Sequence, residues 1–380
     1  SRMNYNNEKI TIMLQNNSIE LITIISWNDC FAVHDDGMQG KVIGLFGSEN
    51  EYREFINNLL KQEKKNIKSL FQVNTFWDDE YNAKIVIVPP AILASNCPSV
   101  IFRTFHKENI IKREFAMNEN NVIPITYIKW IIKGQCNSLI TGAQGAGKTT
   151  ALKNFIRFIP AEFTLRVQES LPELNLNQAY PYRNVVEIQN TVSEDTMNNA
   201  LAVAKSKDKD NRNVNIIGEI GNATQTLYFL QPTITGTALF SIGTHHARTT
   251  RKLVCSLANN LLELEVCKTQ KEAVEMVADA VNIDCHLIEV NGNRYIERIT
   301  EIIPTKDKGA EPFAEKDILR CDAQNVFVTG FSDEMKSKIV SKLTKAEKEE
   351  FLHDIGMCDL ISQGKISPEV NMWMEAVLSY

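Results

Sequence analysis

The sequence predicts an α/β fold: a mostly parallel, helix-covered sheet, preceded by an α+β module and followed by a small helical appendix. Three observations predict it. Strand-like and helical runs alternate from about Val122 onward, short β-rich runs broken by Asn, Asp and Gly fill the N-terminal part, and charged helical patterns dominate the C-terminal end. At 380 residues the chain is also too long for one ordinary core.

In the first module, residues 1–105, "EKITIML", "IELITIIS", "CFAVHDD" and "KVIGLFG" read as β runs. "SENEYREFINNLLKQ" reads as a helix, because Ser48 can cap it, Glu51 follows three residues later, and Phe55, Leu59 and Leu60 recur at helical intervals. The polar run "HKENIIKREFAMNENN", residues 106–121, reads as a linker. In residues 122–305 strands are expected at "NSLIT", "FTLRVQ", "NVVEIQ", "VNIIGEI" and "TALFSIG". Helices are expected at "NATQTLYFLQ", "TRKLVCSLANNLL" and "KEAVEMVADAV". Asn291-Gly292 between two β runs signals a hairpin. Residues 306–380, with "SDEMKSKIVSKLTKAEKEEFLHDI", read as a charged, mostly helical appendix.

A net charge of -6 and a pI near 5.7 give no basic excess, so nucleic acid is not an expected partner, and a translocating nucleic-acid motor is disfavoured. The eight cysteines form no CxxC pair and read as reduced thiols of a cytosolic protein. No run reaches the ~18 apolar residues of a membrane span; "KIVIVPPAILA" is short and broken by Pro89 and Pro90. The N-terminus shows no signal-peptide pattern, which points to a cytoplasmic location.

Gly142 to Thr149, "GAQGAGKT", fits GxxxxGK[ST] between a strand and a helix. Glycines let the backbone turn inward so that the amides of Gly145, Ala146 and Gly147 meet phosphates at a helix N-terminus. Lys148 would bridge the β and γ phosphates of ATP, and the Thr149 hydroxyl would ligate Mg2+. The binding set is therefore Gly142, Ala143, Gln144, Gly145, Ala146, Gly147, Lys148, Thr149 and Thr150. Downstream, Glu219 in "VNIIGEIGNA" follows an apolar strand, where a carboxylate abuts the metal and the attacking water. Glu169 and Glu173 flank Pro172 after another strand. "SIGTHHART" sets His245 and His246 side by side, on opposite faces of an extended segment, so a shared zinc is disfavoured and one histidine is expected to reach the γ phosphate.

These segments in this order resemble the type II/IV secretion and pilus-assembly ATPase superfamily, most closely its tight-adherence (CpaF-like) branch. "VQESLPEL" is similar to the family's acidic box, with Glu169 in the acidic place. "NIIGE" matches its Walker B strand and assigns the catalytic glutamate to Glu219, while "GTHHA" is similar to its histidine box and selects His246 over His245. Upstream, "VPPAILASNCPSVIFRTF" resembles a segment that would bring Arg103 to the phosphates. The resemblance implies a RecA-like P-loop domain behind a PAS-like N-terminal domain. It implies a homo-oligomeric ring, a hexamer, at the inner face of the cytoplasmic membrane, hydrolysing ATP with Mg2+ to drive pilus assembly or protein secretion through an inner-membrane platform protein. Glu169 and Glu219 would reach the metal through water. The chain departs from the pattern at Gly221 and Thr191, where the family places arginines. Arg103, Arg166 and Arg212 are the candidate replacements, and a ring subunit that binds nucleotide with little hydrolysis is the alternative.

Overall fold

The computed structural model describes residues 3–35, 37–62, 73–90, 93, 97–105, 122–189, 212–305, 311–322 and 324–365. The chain divides into two compact units. The first is Ser1–Ile110 with Leu171–Glu173 and Asn291–Asn293, and the second is Ile111–Ser170, Leu174–Val290 and Arg294–Tyr380. The expected linker at residues 106–121 lies outside the described residues, as does Thr191.

In the first unit "EKITIML" is not a strand but helix α1 (Glu8–Gln15). Both periods fit its apolar residues; the cap decides. The Asn7 side chain accepts the Ile10 amide at 3.2 Å, and Ile10 and Leu14, four apart, are buried while Ile12 is 57% exposed. Strands β1 (Ile19–Ser26), β2 (Asp29–His34), β3 (Gln39–Val42), β4 (Asn74–Asp78), β5 (Ala83–Val88) and β6 (Ser99–Thr104) form an antiparallel sheet in the order β3-β2-β1-β6-β5-β4. Helix α2 (Glu49–Gln62) starts at Ser48, whose hydroxyl accepts the Glu51 amide, and buries Tyr52, Phe55, Ile56, Leu59 and Leu60. Alternate strand residues Ile22, Ile24, Ile85, Ile87, Val100 and Phe102 join the same core.

Among the described residues the second unit is built on nine strands: β7 (Ser138–Gly142), β8 (Thr164–Glu169), β9 (Val185–Gln189), β10 (Asn213–Ile220), β11 (Phe240–His245), β12 (Ile283–Val290), β13 (Asn293–Pro304), β14 (Phe313–Cys321) and β15 (Val326–Val328). Their order is β15-β14-β13-β12-β7-β11-β10-β8-β9, parallel from β12 through β9. Among the described residues its helices are α3 (Val122–Lys133), α4 (Lys148–Phe155), α5 (Leu176–Ala179), α6 (Ala223–Ile234), α7 (Thr250–Glu263), α8 (Gln270–Ala280), α9 (Asp333–Lys342) and α10 (Lys345–Ser362). Successive strand residues go to opposite cores. Ile140 and Ile216 join Trp130, Phe155 and Phe351 in one, whereas Leu139 and Ile217 join Phe229, Leu257 and Val277 in the other. Covering on both faces is what lets these strands run almost wholly apolar. Asn291 and Gly292 both take positive φ, 53° and 79°, as a two-residue hairpin turn requires.

Pro232 sits inside α6 and has no amide to give the Tyr228 carbonyl one turn back. The buried Asn215 of β10 supplies the missing donor, its Nδ2 lying 2.7 Å from that oxygen.

In residues 306–380, expected as a charged, mostly helical appendix, α9 and α10 form the helical run, and the strands β14 and β15 precede them. β14 and β15 extend the main sheet, β14 pairing antiparallel with β13, and α10 packs on α3. The seam between the two helices is charged and buried: Lys129 Nζ reaches Asp354 Oδ2 at 3.0 Å and Lys133 Nζ reaches Glu347 at 3.1 Å. Charges that look solvent-facing in a local window are consumed by partners more than two hundred residues away, which no periodicity reveals.

Candidate nucleotide site

The phosphate loop leaves β7 at Gly142, where φ is 148° and a β-carbon would lie 2.5 Å from the Leu287 carbonyl oxygen. Only glycine fits there. Gly145 and Gly147 take φ of 82° and 87°, which turns the loop into α4. Lys148 opens that helix, and no side chain caps its first turn. The first-turn amides and the helix dipole thus make an anion-binding end of ordinary kind. Ala143 and Gln144 are exposed, and Thr149 and Thr150 are half-buried on the first turn. One amide departs from expectation: that of Ala146 donates to the Ala143 carbonyl at 3.3 Å, closing a tight turn within the loop.

Lys148 is buried and folds back, its Nζ donating to the Gly142 and Ala143 carbonyls at 3.2 and 2.8 Å. It also meets His246 Nδ1 at 3.2 Å, and His246 Nε2 meets Glu219 Oε1 at 2.9 Å. An ammonium can only donate, so Nδ1 is the acceptor; Nε2 then carries the proton and donates to the carboxylate. The three residues form one bonded line from the loop to the end of β10.

The strand itself aims Glu219. Opposite β11 the register runs from Ile217 with Gly243 to Ile220 with His245, so Gly218 and Glu219 together face Thr244 alone. Such a bulge bends its strand and re-aims a side chain. Thr244 donates its hydroxyl to the Gly218 carbonyl at 2.7 Å, satisfying an oxygen the bulge frees. Glu219 emerges about half exposed. Glu169, at the end of neighbouring β8, is instead buried, accepting the Leu174 amide at 3.0 Å. Its side chain occupies the space beside Gly218, where a β-carbon would come within 2.7 Å of it.

His245 points elsewhere. Its Nδ1 donates to the Ile220 carbonyl at 2.7 Å and Nε2 faces the Ser256 hydroxyl at 3.1 Å. Burial holds its pKa below the ordinary histidine value, and burial followed by the Arg298 charge does the same for His286. Both bind their proton less readily folded than unfolded, so their contribution is complete above about pH 6.5 and is lost as pH falls below it. Melting of this unit is expected at lower temperature at pH 5.5 than at pH 7.5; an unchanged midpoint would contradict it.

The candidate compensating arginines are dispersed. Arg103 belongs to the first unit, its guanidinium 5.0 Å from the Phe105 ring centroid. Arg212 precedes β10 while Glu219 lies near its far end, roughly 20 Å along an eight-residue strand. Arg166 lies midway along β8. At Gly221 the amide donates to Gln225 Oε1 at 2.7 Å. Sequence reasoning missed Arg294, whose stem lies across Gly147 with Cδ 2.8 Å from where a β-carbon would stand. The only local signal for it was the hairpin that carries it.

No family model matches the chain, and no curated protein matches it. Among solved structures it is similar to the VirB11 ATPase from the Brucella suis type IV secretion system, crystallised with sulphate. The TM-score is 0.39 at 16% identity, covering 77% of this chain and 92% of that one. A likeness of that size says nothing of activity.

Proposed function

We propose that the chain is an ATP hydrolase of the secretion and pilus-assembly type. The observation that supports this reading best is the bonded line Lys148–His246–Glu219 beside a complete phosphate loop. Each member has a separate task. Lys148 neutralises the β and γ phosphates, which compete with the loop carbonyls for its donors. His246 lies between that cation and Glu219, so a change at the lysine is felt at the carboxylate. Glu219, half exposed at a strand end, orients water and takes up its proton. Glu169 braces the bulge that aims Glu219. The Thr149 hydroxyl, with Glu169 and Glu219 acting through water, would hold Mg2+, and the ion would supply charge neutralisation on the phosphates.

In this reading the second unit is RecA-like and the first PAS-like. Six copies form a ring at the inner face of the cytoplasmic membrane and act on a platform protein; the motif order supports this by resemblance. Among the described residues no helix is long and apolar enough to cross a membrane.

ATP-binding titrations test the reading. Lys148→Ala is expected to weaken ATP about 100-fold, the loss of a charge-assisted contact to phosphate. Wild-type protein that binds no ATP would sink it.

A further inference from the structure

One residue before the phosphate loop, Thr141 enters a buried polar cluster that the hydrolytic chemistry does not use. Its hydroxyl donates to Asp284 Oδ1, and the Thr250 hydroxyl donates to Asp284 Oδ2 at 2.7 Å. Arg298 Nη1 lies 2.9 Å from Asp284 Oδ2, and 2.8 Å from both the Thr250 and the Thr300 hydroxyls. Asp284 is fully buried and the Arg298 side chain is 7% exposed.

The connectivity gives the cluster its meaning. Thr141 belongs to β7, which runs directly into Gly142; Thr250 opens α7, just after the segment that carries His246. One carboxylate therefore holds the strand entering the loop on one oxygen and the helix following His246 on the other. The Lys148 to His246 contact spans the same two segments. A buried carboxylate without a cation is costly, and Arg298 supplies that cation. For stability alone an apolar pair would often serve as well, and a buried ion pair can instead fix one arrangement of the segments it joins.

We propose that Arg298, acting through Asp284, is a positioning residue that sets the spacing between the phosphate loop and His246, and with it the preference for a triphosphate over a diphosphate. The inference rests on the reading of this site as a nucleotide site. His246 meets the γ phosphate, which ADP lacks, so slackened spacing costs ATP more than ADP.

The test is titration of ATP and of ADP against wild type, Arg298→Lys and Thr141→Val, with melting recorded for each. Lysine keeps the charge but ends one atom short of Nη1; valine matches threonine in shape and removes the hydroxyl's links to Asp284 and to His286 Nδ1. The ratio of ATP to ADP affinity is expected to fall about fivefold in both variants. A merely structural role lowers the melting temperature and leaves that ratio unmoved, so folded variants with the wild-type ratio overturn the proposal. Should Arg298→Lys fail to fold, Thr141→Val decides by the same ratio. Wild type that binds both nucleotides equally also overturns it, whereas wild type that binds neither brings down the site reading and this inference together.

Discussion

Glu219→Gln is expected to bind ATP as wild type does and to turn it over about a thousand times more slowly, the loss of a positioned general base. The amide is nearly isosteric with the carboxylate, and its oxygen can still accept from His246 Nε2, which now stands 2.9 Å from Glu219. What it lacks is the charge that orients water and takes its proton. Because Glu219 is about half exposed, stability should move by less than about 0.5 kcal/mol. Steady-state turnover measured beside ATP titration separates the two effects. Turnover within about threefold of wild type would remove Glu219 from its assigned role.

Asp354→Ala is expected to destabilise the second unit by about 3 kcal/mol. Asp354 is buried, and its Oδ2 accepts from Lys129 Nζ and from Trp130 Nε1, each at 3.0 Å. The Lys129 side chain is only 2% exposed, so the substitution leaves an ammonium in the interior with Glu350 at 2.6 Å as its remaining carboxylate. Urea unfolding measures the loss. Replacing both charges, as Lys129→Met with Asp354→Leu, should recover most of it, because the penalty belongs to the buried ammonium that has lost its interior carboxylate and not to the missing pair. A loss under about 1 kcal/mol for the single variant would mean that the seam between α3 and α10 is not a structural joint.

How much was legible followed from distance along the chain. The strands of the parallel sheet were readable because burial on both faces makes them apolar without interruption, as in "VNIIGEI". The hairpin was readable because Asn291 and Gly292 tolerate the positive φ that its turn needs. Helix α1 was misread because Ile10, Ile12 and Leu14 satisfy the strand period as well as the helix period, and the deciding cap bond of Asn7 is a structural fact. In the C-terminal region the helices were legible but their packing partners were not. Asp354 and Glu347 look like solvated charges until Lys129 and Lys133 are placed against them.

The candidate site divides in the same way. By itself the sequence determined the candidate phosphate loop, since eight contiguous residues carry its glycines, its lysine and its hydroxyl, and local backbone preference is enough to shape the turn. It also placed glutamates and histidines at strand ends. Tertiary structure alone decided which of them meet. His246 faces Lys148 across 98 residues, His245 turns away to the Ile220 carbonyl, and a bulge opposite Thr244 swings Glu219 outward while Glu169 stays buried. The physical reason is that strand register and hydrogen-bond partnership are set by packing between distant segments, whereas a glycine turn is set by the conformational freedom of the residues that make it.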